Sequence, residues 1–168
     1  PTQLVIATGM SGLPQRPAIA GADTFAGTQV HSSAFEDGAP WRGKRCVVVG
    51  ANNSAHDICV NLWEHEAAGI TMIQRSSTMV ARSETLQEIG WGRLFSEQAL
   101  ANGYTTERAD LAMASTPYRV IADVQRAVWT AQAEREKPFY DRLRQAGFRL
   151  NFGEDGTGIA MLYLRRGA

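Results

Sequence analysis

The chain has 168 residues, 44% hydrophobic and 20% charged, which fits one globular domain and excludes a disordered chain. Seventeen Lys and Arg balance 17 Asp and Glu, so bulk charge favours neither nucleic acid nor an anionic membrane as a partner. No apolar run approaches the ~18–20 residues that span a bilayer.

Two cysteines, Cys46 and Cys59, make no disulfide framework and read as reduced, buried residues of a cytoplasmic protein. His56 and Cys59 are spaced as a metal pair, but the chain has three His and no second cluster, so no metal site is expected. The chain opens on Pro1 and runs straight into a strand-like segment, which reads as a start inside a larger protein.

In chain order, residues 3–7 read as a buried strand ended by Thr8-Gly9. From Met10 to Ala26, glycines and prolines mark a surface connection, and Gln29 to Ser32 reads as a short extended piece. Asp37-Gly38 and Trp41 to Lys44 look like turns. Residues 45–49 form the clearest strand; its unalternating β-branched run predicts burial on both faces, as in a parallel sheet. A helix follows over 53–67, ended by Gly69, and a second strand over 70–73. Strand, helix and strand make one βαβ unit.

Beyond Arg82 the spacing is helical, broken at Gly90-Trp91-Gly92, Asn102-Gly103 and Pro117. Two or three short helices precede a longer one over 118–136; Pro138 opens another that ends at Gly147. The charges of Glu134, Arg135, Glu136 and Lys137 read as a solvated helix face. Asp155-Gly156 reads as a turn, and 159–166 as a helix capped at Gly167.

The run from Gly50 to Ala55 lies between the strongest strand and the strongest helix, where a dinucleotide-binding fold keeps its pyrophosphate turn. Gly50 permits the turn, the helix N-terminus offers unpaired N–H groups, and Ala55 lets the helix pack close. Asn52 stands where a glycine would bring the pyrophosphate nearest the backbone; Asn tolerates unusual backbone angles and its amide can donate. A plain crossover, with Asn53 or Ser54 capping the helix, is the structural alternative. After the second strand come Gln74, Arg75, Ser76 and Ser77, with no acid for a ribose 2′-hydroxyl. Arg75, about 25 residues past Gly50, suits the 2′-phosphate of NADPH, and the serines add donors.

These residues resemble the flavin-containing monooxygenase family, which includes the plant indole-pyruvate monooxygenases. Phe25, Gly27, His31 and Phe35 occupy every fixed position of its F-x-G-x-x-x-H-x-x-x-F/Y fingerprint. Leu4 to Gly9 resembles the strand ending in Ala-Thr-Gly that precedes it. The run Gly50-x-Asn52-Asn53-Ser54-Ala55-x-Asp57 resembles the family's NADPH turn, G-x-G-N-S-G-x-D, with two glycines replaced.

The resemblance covers residues 4–82, with a general likeness beyond. It implies an α/β, Rossmann-like NAD(P)-binding domain with parallel strands and a helical insertion, incomplete at both ends. Residues 1–43 would be an interdomain strand and linker, 44–82 the NADPH-binding βαβ unit, and 83–168 the helical insertion. It also implies that NADPH reduces an FAD held elsewhere in a longer protein, and that one oxygen atom of O2 enters a small organic substrate. No residue of this chain is assigned a catalytic role; His31 reads as a linker residue, and the fragment alone is expected to be inactive. The other readings are a non-catalytic pyridine-nucleotide-binding module and a Baeyer–Villiger-type monooxygenase, which would carry Trp at the place of Phe35. A disulfide-reductase-like flavoprotein needs a C-x-x-C pair, which Cys46 and Cys59 do not form. An incomplete sheet with an open edge predicts homo-oligomers.

Overall fold

The computed structural model describes residues 2–6, 12–153 and 156–158. The chain is α/β and divides into two compact units, Pro1–Ile73 and Gln74–Ala168.

The first unit is built on β1 (Arg45–Val49), α1 (Asn53–Glu64) and β2 (Gly69–Ile73). The strands pair in parallel, Arg45 opposite Gly69 through Val49 opposite Ile73, so the crossover has its expected form. Helix α1 buries Ala55 and Leu62, seven residues or two turns apart on one face. It stops at Glu64, earlier than the sequence suggests, because a C-terminal motif ends it before Gly69. Glu66 takes φ 60°, its N–H bonds the Trp63 carbonyl, and the Ala67 N–H bonds the Leu62 carbonyl. Glycine is the usual residue at such a left-handed position; here it is a glutamate.

The expectation that both faces of β1 are buried is not met. Burial alternates along the strand, with Val47 60% and Val49 55% exposed. A helix covers one face of a sheet, and no other described element of this unit covers the second. The expected strand at 3–7 is also absent over its described part. Residues 2–6 are irregular, and Leu4, Val5 and Ile6 stay at least 77% exposed. No described strand pairs with them, so their backbone groups are left to water. The linker holds three short 3₁₀ turns, Ala22–Thr24, Ser32–Ala34 and Ala39–Trp41, rather than an extended run through Ser32.

The second unit is helical: α2 (Ser83–Thr85), a π-helical turn (Leu86–Gly90), a 3₁₀ turn (Trp91–Arg93), α3 (Glu97–Ala101), α4 (Thr106–Ser115), α5 (Tyr118–Arg135) and α6 (Lys137–Gln145). The interruptions fall where glycine and proline place them. Trp129 of α5 is 2% exposed and packs with Met79, Leu86, Ile89 and Phe152. Tyr140 of α6 is buried, edge-on to Phe152 at 4.9 Å.

The charge run after α5 is not uniformly solvated. Arg135 forks onto exposed Glu88 at 2.7 and 2.8 Å, but Glu136 is buried and accepts a hydrogen bond from the Thr85 hydroxyl. Gln132 donates to the same Thr85 oxygen at 3.0 Å. Glu136 lies where α5 gives way to α6 and turns inward with Gln132, one helical turn before it. The turn at Asp155 and the helix over 159–166 lie outside the described residues.

Candidate functional site

The turn between β1 and α1 is fastened to the sheet, because the Gly50 N–H donates to the Ile73 carbonyl at 3.0 Å. Gly50 has φ 132°, a conformation that a side chain resists. Ala55 is buried beneath it, and a Cβ on Gly50 would lie 4.0 Å from the Ala55 methyl. The small residue therefore allows close helix packing, as its position suggests.

Asn52 caps α1 at φ −97° and ψ −179°, an ordinary extended conformation, and its side chain makes no capping bond. Its amide is left over, and no special backbone angle is asked of it. The helix ladder begins at Ala55 and His56, which both donate to the Asn52 carbonyl. The N–H groups of Asn53 and Ser54 are thus unused among the described residues. Asn52, Asn53 and Ser54 are exposed, and the first turn carries no acid. This is the chemistry an anionic oxygen needs: free donors, a positive helix end and no competing carboxylate.

His56 sits one turn inside α1. Burial pushes its imidazole below the ordinary histidine range, against a backbone bond to Ala51 and the charge of Asp57. Burial pushes the Cys59 thiol up, so it is a poor nucleophile. Both cysteines are free, and no three metal-ligating side chains cluster among the described residues.

In the linker, the Phe25 ring lies over Gly27, where a Cβ would approach it to 2.5 Å. His31 caps the Ser32–Ala34 turn; its Nδ1 accepts from the Ser33 N–H at 3.1 Å. Phe35 is half-buried and lines a depression of about 220 Å³ with Val30, Pro40 and Trp41. These fingerprint residues shape the linker backbone.

In the second unit, Gln74 exchanges two bonds with the Arg149 backbone, at 2.6 and 3.3 Å. Thr78 bridges in parallel to Leu150, and the Ser77 hydroxyl accepts from Asn151 at 3.2 Å. Ser77 is therefore engaged. Arg75 and Ser76 are exposed and make no hydrogen bond or ion pair among the described residues. Sequence reasoning passed over Asp37, Gly38, Asn61 and His65, which join the linker to α1. The one trace of them in the sequence is Asp37-Gly38, which reads as a turn and is also a docking point.

The pyridine nucleotide-disulphide oxidoreductase family matches residues 1–152. The chain belongs to it. Curated proteins similar to this chain include monooxygenases. It is 36% identical over 83 residues to the probable indole-3-pyruvate monooxygenase YUCCA7 of Arabidopsis thaliana, covering 49% of this chain and 19% of that one. It is 38% identical over 76 residues to the trimethylamine monooxygenase of Roseovarius nubinhibens, covering 45% and 17%. A trimethylamine monooxygenase of Pelagibacter matches at 28% over 117 residues, 68% of this chain and 26% of that one. The resemblance to flavin-containing monooxygenases is thereby borne out, and the chain spans about a quarter or less of these relatives' lengths. No described helix is long and apolar enough to cross a membrane.

Proposed function

We propose that this chain is the NADPH-binding portion of a flavin-dependent monooxygenase, a Rossmann-like domain whose β1–α1 turn takes the pyrophosphate. Gly50 gives the turn its backbone freedom, Asn52, Asn53 and Ser54 supply donors, and Ala55 seats the helix. Arg75 and Ser76, both without partners among the described residues, take the 2′-phosphate. Ser77 positions that stretch through Asn151. The observation that carries this reading is the pair of unused amides of Asn53 and Ser54 at the acid-free end of a 12-residue helix.

NADPH supplies the hydride, and FAD, held by the rest of a longer polypeptide, supplies the oxygen chemistry on a small organic substrate with O2. The residues of this chain bind and orient the nucleotide. They contribute no acid, base or nucleophile, and the chain alone is inactive.

Calorimetric titration of NADPH and NADH against the chain and its Arg75→Ala variant tests the assignment. NADPH is expected to bind roughly tenfold more tightly than NADH, and the substitution to remove that preference while leaving NADH unchanged. If the isolated chain binds neither, the longer protein is tested by its rates of flavin reduction with each nucleotide. A preference for NADPH that survives Arg75→Ala overturns the role of Arg75.

A further inference from the structure

We propose that Arg149 is the second guanidinium of the phosphate-monoester site that Arg75 opens, so that the 2′-phosphate of NADPH is held between the two. This deepens the nucleotide reading above and rests on it. The whole subsite lies in the second unit, and the backbone builds it.

Residues 75–77 form a short arch with both feet on Arg149. At one foot the Gln74 side chain donates to the Arg149 carbonyl at 3.3 Å and accepts from the Arg149 N–H at 2.6 Å. At the other, the Thr78 N–H donates to the same carbonyl at 3.2 Å. A side-chain amide carries a donor and an acceptor like a peptide, so Gln74 continues the pairing past the bend at Arg75 and Ser76. Arg75 and Arg149 are thereby held as neighbours, although far apart in sequence.

The side on which Arg149 emerges is set as well. Thr78 bridges in parallel to Leu150, and side chains alternate along extended backbone, so Arg149 and Asn151 leave on one side. Asn151 meets the Ser77 hydroxyl on that side at 3.2 Å. Arg149 thus emerges beside the arch.

Arg75, Ser76 and Arg149 are exposed, and their side chains make no hydrogen bond or ion pair among the described residues. No acid occurs from residue 74 to 79 or between Asp141 and Glu154, and Asp141 is engaged by Lys137 and Arg144. Two like charges held as neighbours are unfavourable until an anion joins them. A phosphate monoester offers acceptor oxygens for both guanidinium forks and for the Ser76 hydroxyl. One exposed guanidinium alone gains little from such a contact, as exposed ion pairs do. The preference therefore needs both, and losing either one removes it.

The test titrates the 168-residue chain with adenosine 2′,5′-bisphosphate and with adenosine 5′-monophosphate by calorimetry. The bisphosphate is expected to bind roughly tenfold more tightly. Arg149→Ala is expected to bring it to the level of the monophosphate, whose own affinity stays unchanged. Adding Arg75→Ala is expected to lose no more. A bisphosphate preference that survives Arg149→Ala overturns the role of Arg149 and leaves that of Arg75 standing. An equal loss for both probes also overturns it, because that is bulk charge and not a 2′-phosphate site. A chain that binds neither probe, or both alike, overturns the shared site, while the Gly50 turn is judged separately by flavin reduction in the longer protein. Should Arg149→Ala fail to fold, the arginine Nε–H resonances of the unaltered chain decide. Those of Arg75 and Arg149 are expected to shift together as the bisphosphate is added, and a shift of Arg75 alone overturns the pairing.

Discussion

The two units bury their apolar residues to different degrees. In the helical unit Trp129 and Tyr140 are at most 2% exposed, and polar Thr85, Gln132 and Glu136 are buried with them. In the βαβ unit Val47, Val49, Val60 and Trp63 are all more than half exposed, and Ala55 and Leu62 make up the described buried hydrophobics. In the helical unit, segments distant in sequence bring Met79, Leu86, Ile89 and Phe152 around Trp129 and close a core. A two-stranded sheet with one helix covers one face and leaves the other bare. Strand formation and strand burial are therefore separate events, and the clearest strand in this sequence shows the first with only half of the second.

The largest test of this contrast is a pair of truncations. Trp129→Ala is expected to destabilise the helical unit by about 3–5 kcal/mol, and Val47→Ala to cost less than about 1 kcal/mol, read by denaturant unfolding. Equal losses would break the comparison and mean that the outer face of β1 is covered in solution.

A smaller effect separates the units at high pH. Burial pushes the Tyr140 phenol up to about 12, with the charge of Glu136 adding to the shift, and its hydroxyl donates to the Val80 carbonyl. An unfolded tyrosine ionises near ~10. Between those values the native state keeps a proton that the unfolded chain gives up, so stability falls as pH rises through the window, by on the order of 2 kcal/mol. Unfolding of the helical unit followed at rising pH should show this slope, and Tyr140→Phe should flatten it.

The smallest effect belongs to the βαβ unit. Glu66 holds a left-handed backbone conformation at the end of α1. Glu66→Gly removes that strain but loses the exposed pair with Arg42. The net gain expected is about 0.5 kcal/mol, visible as a slight rise in thermal midpoint. A loss of stability instead would show that the pair with Arg42 outweighs the strain.

Much of this protein is legible locally. The β-branched run at 45–49, the proline at 117 and the glycine at 103 mark elements by steric preferences that act within a few residues, and the elements form where those preferences put them. The Gly50 turn was legible for the same reason: a strand that must hand over to a helix at once needs a residue free of Cβ. Burial was not legible, because it depends on which surface arrives from elsewhere. Leu4, Val5 and Ile6 have strand composition but no described partner strand, and Glu136 lies in a charge run yet faces Thr85, 51 residues earlier. His65 and Asp37 are 28 residues apart and ordinary in their local contexts. Only the close approach of Gly38 to the end of α1 brings Asp37 within 3.3 Å of His65, and no local pattern records that meeting.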